Sequence, residues 1–138
     1  MGPTIKLAVV TALMLALMAT VALAATLVGN DLPNVIDGTA ANDTINGRAG
    51  GDRLSGFRGL DEIVGGAGND LISGGAGADN LRGGNGSDRI LGGAGDDTVY
   101  PAGDDSADYV DCGTGFDHVI RSEGALPNDR LANCEAVF

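Results

Sequence analysis

The chain has 138 residues, with 19 Asp and Glu against eight Lys and Arg, a net charge of −11, one His, no Trp and 24 Gly. That length bounds it to one modest domain. An acidic surface of this size excludes nucleic acid and anionic lipid, which need a basic footprint, and favours cations.

Residues 1–24 read as a secretory signal peptide. A single cation, Lys6, precedes an apolar and small-residue run from Leu7 to Ala25, with the small-x-small pattern Ala22-Leu23-Ala24 near its end. Cleavage is expected after Ala24, export by the general secretory route is expected, and an uncleaved membrane anchor is the alternative. Without the leader, seven Arg face 19 acids (7 − 19 = −12) and no Lys remains. Cys112 and Cys134 then belong to an exported chain, where oxidation is the default.

Residues 25–37 read as an N-terminal cap. It holds "GNDLPNVID" (29–37), a degenerate unit with Asn34 where later units carry an acid. From residue 38 the chain repeats every nine residues without a gap to residue 100. The seven units are "GTAANDTIN", "GRAGGDRLS", "GFRGLDEIV", "GGAGNDLIS", "GGAGADNLR", "GGNGSDRIL" and "GGAGDDTVY". Each has Gly at position 1, Asp at position 6 and an aliphatic residue at position 8. After an insertion, Pro101-Ala102, two divergent units follow at 103–111 and 112–120 with Asp108, Val110, Asp117 and Val119. Degenerate end units are the habit of solenoids, whose terminal repeats cap the stack.

Glycine density and the lack of a 3.6-residue apolar period exclude an α-helix. The last three residues of each unit read as a short strand around one inward aliphatic, and the first six as a glycine turn. Two units close one coil, so units n and n+2 stack about 4.8 Å apart as parallel strands. Ile45, Ile63, Leu81 and Val99 then form one inward ladder, and Ile36, Leu54, Ile72 and Ile90 the other, with Val110 and Val119 continuing them. Asp43, Asp61, Asp79 and Asp97 file along one edge, and Asp52, Asp70 and Asp88 along the opposite one. Bare carboxylates at that spacing repel by roughly 1–3 kcal/mol per neighbour. A cation is therefore expected beside them. The all-oxygen donor set suits calcium, which accepts six to eight oxygens in flexible geometry. The other reading, a Gly/Asp-rich linker that never folds, is opposed by the aliphatic ladder and describes the expected calcium-free state.

These units resemble the repeats-in-toxin, or hemolysin-type, calcium-binding nonapeptide family, with its motif GGxGxDxUx. The resemblance is tight over 38–100 and loose over 29–120. It implies an all-β fold, a right-handed parallel β-roll, with calcium held between loops n and n+2. The family's acidic role falls on Asp43, Asp52, Asp61, Asp70, Asp79, Asp88 and Asp97, and extends to Asp108 and Asp117. Its carbonyl role falls on Gly65, Gly66 and Gly68; Gly74, Gly75 and Gly77; Gly83, Gly84 and Gly86; and Gly92, Gly93 and Gly95. Position 2 departs as Thr39, Arg48 and Phe57, and position 4 as Ala41, so the first sites are expected to be weak or partly empty. Five to seven calcium ions are expected, at affinities of roughly 10⁻⁴–10⁻³ M.

From Arg121 onward no nonapeptide register is legible, and 121–138 reads as a C-terminal cap. A Cys112–Cys134 bond is expected to pin it over the last coil, two free thiols being the alternative; the resemblance agrees with the bond. His118 reads as outward and solvated rather than catalytic, and Asp96, Asp104 and Asp105 as extra loop charge. Outward position 7 runs Thr44, Arg53, Glu62, Leu71, Asn80, Arg89, Thr98, which is not an ice-binding array. A monomeric, non-catalytic calcium-binding module is therefore expected, without a nucleic-acid partner. An accessory or adhesion role toward a cell surface or polysaccharide, or part of a secreted enzyme, stands as the alternative.

Overall fold

The computed structural model describes residues 22–101, 104, 106–121 and 128–138. Most of the expected leader lies outside the described residues. In chain order the strands are β1 (Thr26–Val28), β2 (Val35–Asp37), β3 (Thr44–Ala49), β4 (Arg53–Arg58), β5 (Glu62–Ala67) and β6 (Leu71–Ala76). They continue with β7 (Asn80–Asn85), β8 (Arg89–Ala94), β9 (Thr98–Tyr100), β10 (Tyr109–Thr114), β11 (His118–Val119), β12 (Arg130–Ala132) and β13 (Ala136–Val137). Odd-numbered strands make one seven-stranded sheet and even-numbered strands a six-stranded one. Every pairing is parallel, and through the intact units the partner lies 18 residues away, as in Ile45 with Ile63 and Ile72 with Ile90. The chain is a parallel β-solenoid of about six turns.

The period-2 alternation of a half-buried strand explains the core. Position 8 points inward: Ile45, Ile63, Leu81, Val99 and Val119 stack in one sheet, and Leu54, Ile72, Ile90 and Val110 in the other, all at most 1% exposed. Each such side chain contributes roughly 1.5–3 kcal/mol by leaving water. Leu27, Ile36 and Leu131 pack against the stack as partly buried ends.

Two sequence expectations are corrected. Strands β3 to β8 and β10 span six residues rather than three, because sheet pairing continues through positions 1 to 3 of the next unit, so that Arg48 pairs with Gly66 and Ala49 with Ala67. The turn is thus confined to the middle of each unit. The tail also regains the register: β12 pairs with β10 and β13 with β11, placing Leu131 on Val110 and Val137 on Val119. The register was hidden by spacing. Successive strands usually start nine residues apart, but β11 and β12 start 12 apart (118 to 130) and β12 and β13 only six (130 to 136). In that shortened last turn Asn133 takes a positive φ of 53°, and Cys134 is bonded to the buried Cys112, with Cα atoms 5.2 Å apart. The expected bridge is present.

Turn glycines are held by both backbone angle and proximity. Gly77 has φ +140°, and a Cβ there would overlap the carbonyl of Gly59 one coil below. Gly51 lacks such a φ, and its nearest neighbour would be the Asn69 carbonyl at 3.2 Å. Gly77→Ala is expected to cost about 2 kcal/mol or more, lowering the melting temperature by roughly 8 °C or more, because backbone must move. Gly51→Ala is expected to stay within about 1 kcal/mol of the parent chain. Paired thermal melts decide this, and equal losses would contradict the packing argument.

Candidate metal centre

Position 6 ends each glycine turn, where a short acidic side chain can reach the backbone of the adjacent coil. The N–H of Asp43 donates to Asp61 Oδ1 at 2.8 Å, that of Asp61 to Asp79 at 2.9 Å and that of Asp79 to Asp97 at 2.9 Å. Asp97 N–H then donates to Asp117 Oδ1 at 2.8 Å. The other column runs from Asp52 to Asp70 at 2.7 Å, Asp70 to Asp88 at 2.8 Å and Asp88 to Asp108 at 2.8 Å. The acids are filed in two columns as expected, with Asp108 and Asp117 included. They are not bare. All nine are 0–3% exposed, so each coil is tied to the next by a charge-assisted hydrogen bond.

The second carboxylate oxygen has a different fate. Oδ2 of Asp52, Asp61, Asp70, Asp79, Asp88, Asp97 and Asp117 is buried with no hydrogen-bond partner. Position-1 glycine leaves the space beside it: a Cβ on Gly65 would stand 2.5 Å from both Asp70 Oδ2 and the Gly83 carbonyl oxygen. Gly74 and Gly92 sit likewise against Asp79 and Asp97, and Gly83 against Asp88. Gly66, Gly68, Gly75, Gly77, Gly84, Gly86, Gly93 and Gly95 all take positive φ, which turns the backbone between positions 2 and 4. Among the described residues no three His, Cys, Asp or Glu side chains converge as a metal cluster. The oxygens that could complete a shell around Oδ2 are therefore carbonyls. A donor set of carbonyls plus one buried, unpaired anionic oxygen fits a hard cation such as calcium.

Electrostatics shows the same strain. Burial pushes the Asp79 carboxyl up from 3.8 to about 6, against the Asp61 N–H and with the Asp61 charge adding to the rise. Asp88 and Asp97 are pushed up to about 7, again chiefly by burial, with neighbouring carboxylates on either side contributing. Asp61, Asp70 and Asp117 are raised for the same leading reason.

The first intact unit behaves otherwise. Burial would raise Asp43, but the N–H groups of Thr39 and Ala25 and the Thr39 hydroxyl outweigh it and hold this carboxyl below 3.8. Thr39 N–H and Oγ1 both donate to Asp43 Oδ2, at 2.5 and 3.1 Å, and Ala25 N–H donates to Oδ1 at 2.7 Å. In the unit before it, Asn34 accepts from Asn30 N–H at 2.7 Å, an uncharged substitute. The other departures, Arg48 and Phe57, keep the turn by adopting φ of 78° and 76°.

Two members of the columns were missed in the sequence. Asp129 accepts the Asp108 N–H at 3.1 Å, and Glu135 Oε2 the Asp117 N–H at 3.0 Å. Asp129 had a full signal, since "GALPNDRLA" (124–132) carries Gly124, Asp129 and Leu131 at positions 1, 6 and 8 after a three-residue insertion, whereas Glu135 had only an acid two residues before an aliphatic in "EAV" (135–137). The extra loop acids have local tasks: Asp96 accepts the Phe116 N–H at 2.8 Å, and Asp104 the Gly86 N–H at 2.7 Å. Asp105 lies outside the described residues. His118 is not freely solvated, being half-buried between Phe116 and Phe138 at ring distances of 5.2 and 5.8 Å.

Comparison with known families agrees with this geometry. Four copies of the RTX calcium-binding nonapeptide repeat match residues 28–61, 55–90, 73–105 and 82–119. No curated protein and no solved structure matches the chain. Repeats of this kind bind calcium, and the matched span holds the seven contiguous units and all nine buried aspartates. The chain belongs to the RTX calcium-binding nonapeptide repeat family.

Proposed function

We propose that this is an exported, non-catalytic module whose β-roll is ordered by calcium. The single observation that carries the reading is the set of buried Oδ2 atoms without a partner, seven in the repeat units and an eighth, that of Asp129, in the tail. A buried, unpaired carboxylate oxygen costs several kcal/mol, and cations lying between coils remove that cost. Asp52, Asp61, Asp70, Asp79, Asp88, Asp97 and Asp117 supply the anionic oxygen in this reading. Carbonyls of Gly65, Gly66, Gly68, Gly74, Gly75, Gly77, Gly83, Gly84, Gly86, Gly92, Gly93 and Gly95 are the partners drawn on. Asp108 keeps the same role by its place in the column. Asp43 is set apart, since Thr39 already satisfies its oxygen. Export is supported by Lys6 and the apolar run after it, and the disulfide suits an oxidising compartment.

Calcium binding and folding are then coupled. Far-UV circular dichroism should show a β signal in millimolar calcium that is lost on chelation and regained on adding the ion back. A β signal unchanged by exhaustive chelation would contradict the reading.

Ion counting by equilibrium dialysis separates the units. Asp70→Asn is expected to lower the bound calcium per chain, whereas Asp43→Asn leaves it unchanged. Equal losses in both variants would place the ions elsewhere.

The raised carboxyls set a pH dependence. A group whose folded pKa lies above its unfolded value stabilises the fold below the unfolded value, and that contribution is lost as pH rises through the folded one. For Asp79, Asp88 and Asp97 the window runs from 3.8 to about 6 or 7. Metal-free chain should therefore gain β structure on acidification from pH 7.5 toward 4, while protons compete with calcium in the same range. A metal-free chain that loses order as the pH falls would count against this electrostatic account.

A further inference from the structure

The outward face of the six-stranded sheet carries a row that the acidic composition hides. Position 7 of successive even-numbered strands brings Val35, Arg53, Leu71, Arg89, Tyr109 and Arg130 side by side. Arg53, Arg89 and Arg130 are exposed, and Leu71 and Tyr109 are half-exposed between them. Three of the chain's seven arginines thus stand on one line of a protein with net charge −11. Neighbouring strands lie about 4.8 Å apart, so the cations repeat about every 9.6 Å over about 19 Å. The Arg89 guanidinium lies 4.8 Å from the Tyr109 ring centroid, which limits its motion at little cost. The matching row on the other sheet runs Thr26, Thr44, Glu62, Asn80, Thr98 and His118, with an acid and no Arg.

We infer that this row is a docking surface for a linear, β-1,4-linked acidic polysaccharide laid across the strands. The period is roughly the length of a disaccharide, and such a polyuronate ribbon turns one carboxylate to the same side once per disaccharide. Leu71 and Tyr109 offer apolar surface between the cations, where the flat face of a sugar ring rests. The row is one residue wide. On the same face, position 9 carries Asp37 and Asp111 in a row Asp37, Ser55, Ser73, Leu91, Asp111, Ala132. A bilayer or a duplex would meet these carboxylates as well as the arginines, whereas a single narrow chain need not. Acids farther from the row than the Debye length of about 8 Å are screened, which leaves Asp37 and Asp111 as the opposing charges on this face.

The inference rests on the calcium-ordered roll, because only the folded chain aligns the row. Its test uses full chain in calcium, with circular dichroism on every sample, titrated with a short β-1,4-oligoglucuronate. Neutral cello-oligosaccharide of equal length, phosphatidylserine vesicles and a single-stranded oligonucleotide are run beside it. The oligoglucuronate should bind with an affinity that falls as salt rises, and the neutral oligosaccharide should bind far more weakly. Arg89→Gln should weaken binding roughly two- to fivefold, consistent with loss of one exposed ion pair. The triple variant Arg53→Gln, Arg89→Gln, Arg130→Gln should abolish it. Arg82→Gln on the other sheet should leave it unchanged, and Asp37→Asn should strengthen it. An ordered roll that does not bind, a folded triple variant that binds as well as the parent, or equal binding of the neutral oligosaccharide overturns the inference. Tighter Arg-dependent binding of vesicles or oligonucleotide overturns the choice of partner. A chain that calcium fails to order overturns the preceding reading instead, and oligoglucuronate binding by such a chain overturns this one.

Discussion

Everything in this fold is arranged around one hydrogen bond, from the backbone N–H of an aspartate to the carboxylate of the aspartate one coil further on. It fixes the coil spacing at the turns as the strand ladder fixes it along the sheets. It also occupies only one of the two carboxylate oxygens. The same residue that joins coils therefore leaves a buried anionic oxygen in need of a partner, and the position-1 glycine leaves space beside it. Structural cohesion and an unsatisfied oxygen are two ends of a single side chain.

The bond is directional, so the columns need different endings. At the N-terminal end there must be an amide without an acid of full charge, and Ala25 and Asn34 meet that need. At the C-terminal end there must be an acid for the last amide, and Asp129 and Glu135 provide it. The last turn, between β12 and β13, has no glycine, and Asn133 takes the positive φ there. A cross-link closing 22 residues contributes roughly 3 kcal/mol by the loop-entropy account, and here it holds the coil that completes both columns. Cys112 itself occupies the position where other units have glycine.

Outward positions are released from these constraints. Positions 7 and 9 face solvent and vary freely between units, which explains how an Arg row arises on one sheet and a Thr-rich row on the other without disturbing the core. Side chains that stack every 4.8 Å or so along a solenoid convert any pattern with a period of two coils into a ruler. On the six-stranded sheet that pattern is basic.

The sequence by itself determined the repeat, the parallel coil, both aliphatic ladders and the filing of Asp43 through Asp97 into two columns. All of these follow from a strict nine-residue period, which allows only one stacking. It also pointed to the Cys112–Cys134 bond and, through Thr39, Arg48 and Phe57, set the first three units apart, although Asp52 and Asp61 keep the same unpaired Oδ2 as the later units and only Asp43 differs. What only the tertiary structure decided depends mainly on contacts 18 or more residues apart whose local spacing is irregular. Asp129 and Glu135 close the columns across a lengthened and a shortened turn, which puts both out of step with the uninterrupted nine-residue period. The burial of the acids and the orphaned Oδ2 atoms depend on where one coil's oxygens meet the next coil's amides, and the satisfaction of Asp43 by Thr39 on side-chain geometry within one turn. A linear period specifies which residues stack. It does not specify which of their atoms are left over.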